Sequence, residues 1–259
     1  MNNELNWLAV VVGNSRLHWA WFKHHTLMTT WDTNHLTNLI KADRLPRLFL
    51  HPDLLEAGLL QIPVYLASVV ASQTTYWCNY RHLILVNLND IKLTNIYPSL
   101  GIDRALAVAG AIAIYQKSCL VIDGGTALTF TGVTEQKKLI GGAILPGLRS
   151  QLLSLNQKTS ALPEIVLPDN LPPRWALDTD TAIASGILYS AIASINNFIT
   201  DWLQQFPNSK IIFTGGDGKL LAKLLLQQFP QLIEQITVNL NLAFQGLKLV
   251  YQQSEHKLV

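Results

Sequence analysis

The chain has 259 residues and a mass of 28.8 kDa; 49% of the residues are hydrophobic and 14% are charged. This composition excludes a disordered chain and a coiled coil, because both need more charge or less apolar content. The 19 lysines and arginines and the 17 aspartates and glutamates leave a net charge of +2. The basic residues are scattered, whereas a nucleic-acid-binding face needs them concentrated, so we expect no nucleic acid among the partners.

Short runs rich in Val, Ile and Leu predict strands at residues 8–12, 64–70, 83–86, 119–122, 210–214 and 235–238. Helical periodicity predicts helices over residues 102–116, 179–206, 218–229 and 240–251. The runs at 8–12, 119–122 and 210–214 are nearly all apolar, which is typical of strands buried on both faces. The alternation of strands and helices indicates a mixed α/β fold.

No segment of the sequence suggests a membrane or secretory role. The longest apolar run, residues 105–115, is shorter than the roughly 20 residues that span a bilayer. The N-terminus has no basic stretch of the kind that opens a signal peptide. Cys78 and Cys119 lack metal-site spacing, and no third ligand stands near the adjacent His24 and His25, which we interpret as solvated. We therefore expect a cytoplasmic protein with no membrane partner.

Two segments of the chain share one plan. Residues 9–22 and 120–133 each consist of an apolar strand, a glycine-containing turn with a hydroxyl residue, and an alternating strand, and they align Val11 with Asp123 and Gly13 with Gly125. Such an internal repeat predicts a duplicated α/β domain. We place the boundary near residue 116, which gives domains of 1–116 and 117–259.

Three glycine-rich turns follow apolar strands, at Gly13, at Gly124–Gly125 and at residues 213–218. Glycine lets backbone N–H groups approach an anion closely, so these turns could cradle phosphates. Any one of them could equally be a tight hairpin turn with no ligand, but three in one chain, two of them at equivalent places of a repeat, favour a phosphate cradle. The sequence has neither the P-loop nor the dinucleotide-binding glycine pattern.

Residues 97–104 end in Gly-Ile-Asp-Arg at the start of an apolar helix. An aspartate in a first turn can simply favour the helix dipole. The dipole does not stabilise a cation such as Arg104 at this end of the helix. An Asp–Arg pair at a helix start could instead provide a general base, the aspartate, next to a cation that binds an anionic substrate. Catalysis by Asp103 and a purely structural role both remain open from chemistry alone.

The order of these motifs resembles type III pantothenate kinases. Residues 11–15 resemble the family's first phosphate motif D-x-G-N-T, residues 97–104 its pantothenate motif ending in G-x-D-R, and residues 123–127 its second phosphate motif D-A-G-T-A. Residues 141–147, 179–186 and 214–218 are similar to three further family segments. The resemblance extends from about residue 8 to residue 249.

The resemblance implies two actin-like ATPase (ribonuclease H-like) domains with mixed sheets flanked by helices, and a homodimer. It implies transfer of the ATP γ-phosphate to pantothenate, the first step of coenzyme A biosynthesis, with Mg²⁺ accompanying ATP and K⁺ or NH₄⁺ as monovalent cation. Asp103 would be the general base, and Asp123 would bind the monovalent cation. The implied pantothenate-binding residues are Tyr97, Gly101, Ile102, Asp103, Arg104 and Thr179. The implied ATP-binding residues are Val11, Val12, Gly13, Asn14, Ser15, Arg16, Leu17, His18 and Thr126.

One departure from the family pattern matters: Val11 stands where the first motif has aspartate. Valine cannot coordinate Mg²⁺, so we expect weaker Mg²⁺–ATP binding without loss of turnover. The same departure supports an alternative, a non-catalytic nucleotide-binding regulator on the same fold. A kinase for a different hydroxylated acid is a third reading, which Tyr97 and Arg104 make less favourable.

Overall fold

The computed structural model describes residues 6–255. The strands are β1 Asn6–Val12, β2 Leu17–Lys23, β3 Thr26–Thr33, β4 Val64–Ser68, β5 Leu83–Leu85, β6 Cys119–Gly124, β7 Ala127–Val133, β8 Leu139–Pro146, β9 Lys210–Thr214 and β10 Ile236–Val238. The helices are α1 Pro52–Glu56, α2 Ala71–Thr75, α3 Ile102–Tyr115, α4 Leu148–Lys158, α5 Thr179–Gln205, α6 Gly218–Gln228 and α7 Leu242–Glu255. Short 3₁₀ turns lie at Arg47–Phe49, Leu88–Asp90 and Pro230–Leu232.

Two five-stranded sheets have the same topology. The first has the order β3-β2-β1-β4-β5, and the second, taken from its other edge, β8-β7-β6-β9-β10. In each, three consecutive strands form antiparallel hairpins, and the first of them also pairs in parallel with a strand that arrives after a crossover. The mixed α/β fold and the duplication that the sequence predicted are both confirmed.

The two opening hairpins differ in the length of their turns. Residues 13–16 separate the paired residues Val12 and Leu17, whereas residues 125–127 separate Gly124 and Leu128. Val11 and Asp123 occupy the same penultimate position of β1 and β6. The alignment of these two residues in the sequence therefore reflects equivalent places in the two sheets.

The chain divides into two units, one formed by residues up to Ala113 together with those from Leu242 onward, and the other by Ile114–Asn241. The first boundary lies close to the predicted residue 116, but the prediction that 242–259 belongs with the second domain is wrong for α7. This helix packs on β1 and β4, where its Tyr251 stacks on Trp7 with the ring centroids 4.5 Å apart. Gly246 allows a close approach to α3, since a Cβ there would overlap the Leu106 carbonyl oxygen.

Each unit has its own apolar core. In the first, Trp19 and Trp77 are fully buried among residues of β1, β2 and β4. In the second, the buried face of α5 packs with β6, β7 and β9. By length and composition α5 could cross a membrane, although half of its most apolar window is buried inside the unit. Core packing accounts for that apolar face.

Candidate active site

The first glycine turn is closed by its own backbone and anchored by a histidine. The Gly13 N–H donates to the Arg16 carbonyl at 3.0 Å, and His35 Nε2 donates to the Gly13 carbonyl at 2.8 Å. Asn14, Ser15 and Arg16 are exposed on the turn. The predicted residues Val12 and Leu17 are fully buried on either side, so they can offer only backbone groups to a ligand.

A row of side chains crosses the first sheet below this turn. His18 is the cross-strand neighbour of both Val11 and Asp32, and its Nδ1 lies 2.8 Å from the Asp32 carboxylate. Since Asp32 can accept from Nδ1–H, it orients the imidazole; His18 Nε2 then lies on the Gly13 side, 3.3 Å from where a Cβ of that glycine would be. The sequence reasoning missed Asp32, whose only signal was its place in the alternating Thr-rich run 26–33.

The second glycine turn lies beside the starts of two helices. The Asp217 N–H, just before α6, donates to the Gly124 carbonyl at 2.8 Å, and the Gly147 N–H, just before α4, donates to the Thr126 carbonyl at 3.0 Å. Ser150 Oγ adds a 2.6 Å hydrogen bond to the same Thr126 carbonyl. Helix N-termini present unpaired N–H groups and a positive dipole end, so this turn has the electrostatic character of an anion site.

Asp123 is half-buried at the end of β6, directly before this turn. Gly215, in the turn after β9, takes φ +80°, and a Cβ there would overlap Asp123 Oδ1. Glycine at 215 therefore satisfies the left-handed backbone and leaves room for the carboxylate itself.

Asp217 is a second carboxylate near the turn. Burial raises its pKa above the ordinary aspartate value, and the positive charge of Arg149 opposes that rise. Arg149, in the first turn of α4, thus lies close enough to influence a carboxylate beside the second turn.

The predicted pantothenate motif forms a bonded cluster at the start of α3. Asp103 Oδ1 accepts from the Arg104 backbone N–H at 2.8 Å, and Arg104 Nη1 donates to the Tyr97 hydroxyl at 3.1 Å. A Cβ at Gly101 would lie 2.5 Å from Asp103 Oδ1, so a side chain at position 101 would displace the Asp103 carboxylate. Arg104 is only 8% exposed, while Tyr97 is 38% exposed and lines an open groove of about 710 Å³ along residues 87–98.

Thr179 is the first residue of α5 in the second unit and is exposed. Asp178 caps this helix: its Oδ1 accepts from the Thr181 N–H at 2.9 Å. Hydrogen bonding to Thr181 holds the pKa of Asp178 below its ordinary value. Asp178 therefore has a structural role at the start of α5.

The sequence pattern that defines type III pantothenate kinases matches residues 7–201. The chain belongs to this family. A type III pantothenate kinase of Nostoc sp. is 42% identical over 95% of both chains, and one of Synechocystis sp. is 42% identical over 95% of this chain and 90% of its own.

Solved structures of other proteins share the fold of this pantothenate kinase family member. A Campylobacter jejuni protein described as a Baf family transcriptional activator has a TM-score of 0.62 at 21% identity, covering 96% of this chain and 99% of its own. MreB5 of Spiroplasma citri bound to ADP has a TM-score of 0.52 at 10% identity over 99% of both chains. At these identities the likeness shows the fold alone, so the activator description lends no support to a regulator.

Proposed function

We propose that this protein transfers the γ-phosphoryl group of ATP to the primary hydroxyl of pantothenate, the first step of coenzyme A biosynthesis. Membership of the type III family supports the reaction. The observation that carries the assignment of residues is the bonded cluster of Tyr97, Asp103 and Arg104 at the start of α3.

In this proposal Asp103 is the general base. The Arg104 N–H holds Oδ1 in place, and we assign proton acceptance from the attacking hydroxyl to Oδ2. Arg104, buried and held by the Tyr97 hydroxyl, would bind the pantothenate carboxylate as a fixed cation. Gly101, Ile102 and Thr179 complete the proposed substrate residues.

The two glycine turns are proposed to hold the ATP phosphates. In the first unit the residues are those from Val11 to His18, with exposed donors on Asn14, Ser15 and Arg16. In the second unit Thr126, exposed on its turn, is joined by the starts of α4 and α6. Phosphoryl transfer depends mainly on positioning and charge neutralisation, which oriented N–H groups and fixed cations provide.

The strands that lead into the two turns differ in what they offer a cation. Hard cations take oxygen ligands. Val11 offers no side-chain oxygen, whereas Asp123, at the same position of the second sheet, offers a carboxylate. We therefore assign Asp123 to the monovalent cation, K⁺ or NH₄⁺, and expect the Mg²⁺ that neutralises the ATP phosphates to be held without a carboxylate at position 11. A cytoplasmic homodimer completes the proposal.

The test is formation of phosphopantothenate from ATP and pantothenate with Mg²⁺ and either K⁺ or NH₄⁺. Asp103→Asn should lower kcat by about 100-fold or more, because a positioned base contributes 10²–10⁴. Asp43→Asn, at an exposed aspartate of the same unit, is the matched control and should be unchanged. Wild-type protein that transfers no phosphate with Mg²⁺ or Mn²⁺ and either monovalent cation would overturn the proposal and favour the regulator.

A further inference from the structure

A cluster of possible metal ligands lies at the opposite end of β2 from the first glycine turn, where the turn between β2 and β3 meets the end of α7. It consists of His24, His25 and Glu255, all in the first unit. The sequence suggested two solvated histidines without a third ligand. The fold supplies one, because α7 returns to the first sheet and brings Glu255 beside the hairpin.

The donor atoms are spaced for a single ion. His24 Nδ1 lies 3.6 Å from Glu255 Oε1, and His25 Nε2 lies 3.6 Å from Glu255 Oε2. All three ligand groups have donor atoms within 4.8 Å of one another. Ligands about 2.0–2.1 Å from a tetrahedral zinc ion lie roughly 3.3 Å apart, so a small adjustment would close the set around one ion.

We propose that His24, His25 and Glu255 bind one divalent transition-metal ion of the zinc type, with water at the fourth position. Two imidazoles and one carboxylate form a donor set that zinc takes in proteins when one position stays open. The site would join the first hairpin to the C-terminal helix. It is independent of the phosphate-transfer proposal.

Neighbouring groups hold the ligands in place. The Trp7 indole N–H donates to the His24 carbonyl at 2.8 Å and so fixes a turn in which His24 takes φ +53°. The Trp7 ring stacks on Phe22 at 4.4 Å and on Tyr251 at 4.5 Å, so one residue supports both the hairpin and α7. Burial raises the pKa of the Tyr251 hydroxyl, and the Glu255 carboxylate is close enough to raise it further; donation by that hydroxyl would orient the carboxylate in the way usual around a metal ligand.

A simple ion pair explains the cluster less well. The two 3.6 Å separations exceed the 2.7–3.2 Å of a charged hydrogen bond. The centroids of the two imidazole rings are 3.6 Å apart, so two protonated rings would repel each other. A bound metal requires neutral imidazoles, which removes that repulsion.

The test is titration of tag-free, chelator-treated full-length protein with ZnCl₂ by calorimetry, with the visible spectrum of bound Co²⁺ as a readout of coordination. We expect one equivalent of Zn²⁺ and a tetrahedral Co²⁺ spectrum. His25→Ala and Glu255→Gln should weaken binding more than tenfold, and Tyr251→Phe, which keeps the stacked ring, should weaken it about tenfold.

His82→Ala and Glu56→Gln remove the same groups from exposed positions outside the cluster and should bind like the wild type. Binding that is equally tight in cluster variants and controls would mean adventitious zinc only and would overturn the proposal, as would absence of a stoichiometric equivalent. Circular dichroism establishes that each variant is folded, and Tyr251→Phe keeps the test decisive if a ligand variant does not fold.

Discussion

The two glycine turns occupy equivalent places in sheets of identical topology, yet they are built differently. The first is one residue longer, follows the buried Val11, and is anchored by the His35 side chain. The second follows Asp123 and is braced by backbone N–H groups at the starts of α4 and α6. The two copies share the strand–turn–strand arrangement but differ in the side chains and backbone groups around the turn.

The two units therefore differ in where an acid lies relative to the turn, and the lack of an aspartate at position 11 does not leave the first sheet without one. In the second unit the acid remains in the strand that leads into the turn. In the first, the acid on the same row is Asp32, two strands away and linked through His18. If this interpretation is right, the two turns should respond unequally to matched substitutions.

Among substitutions at the two turns, the largest effect is expected from Asp123→Asn, which keeps the side-chain shape but removes the charge. Activation by K⁺ or NH₄⁺ should weaken more than tenfold, and kcat/KM for ATP should fall about 100-fold, the loss typical of a preorganised electrostatic group. Steady-state kinetics at varied monovalent cation measure both. An unchanged cation dependence would contradict the role of Asp123.

Gly215→Ala tests whether the Asp123 carboxylate needs the space that the missing side chain of Gly215 leaves for it. Because the residue takes φ +80° and its Cβ would overlap the carboxylate, the substitution should destabilise the fold by about 1–3 kcal/mol. Kinase activity should fall as well. Gly216→Ala is the control, since a Cβ there meets nothing within 4 Å, and its unfolding free energy should change by about 0.5 kcal/mol or less. Equal effects in denaturant unfolding would refute the argument.

Val11→Asp gives the strand before the first turn the carboxylate that Asp123 provides before the second turn. We expect the Mg²⁺ concentration for half-maximal rate to fall by up to about tenfold, equivalent to about 1.4 kcal/mol. Val11→Asn has similar size without the charge and should leave the Mg²⁺ dependence near that of the wild type. If the aspartate variant shows unchanged Mg²⁺ and ATP dependences, position 11 does not limit metal affinity.

The smallest effect is expected from Asp32→Asn. Asp32 and His18 are about half exposed, so their pairing contributes roughly 0.5–1 kcal/mol, and KM for ATP should rise about two- to fivefold with little change in kcat. Asp53→Asn removes an acid near His51 in the same unit and serves as the control. A change confined to thermal stability would make Asp32 a structural residue only.

The sequence predicted what depends on local pattern and missed what depends on distant pairing. The start of α3 and the echo of β1–β2 in β6–β7 follow from glycine positions and strand periodicity. β8 escaped notice because Gly141 and Gly142 interrupt its apolar alternation. Asp32 reaches His18 through the pairing of β3 with β2, His35 follows β3 back to the first turn, and Glu255 reaches the hairpin because α7 packs on the first sheet; no local pattern shows these long-range arrangements. The roles of Asp103, Asp123 and Thr126 were inferred from the family resemblance and remain predictions.

The placement of α7 also has a consequence for how the protein is made. The second unit is a continuous stretch, Ile114–Asn241, so all of its elements are translated together. The first unit is discontinuous: its five strands end at Leu85, but α7, which carries the stacking partner of Trp7 and the Ser254 hydroxyl that lies 2.6 Å from that of Tyr65, is translated only after the second unit. During translation the first sheet is therefore complete before the helix that covers it has been made, so its apolar face stays exposed. We expect nascent chains, and chains that end before α7, to be the aggregation-prone forms of this enzyme.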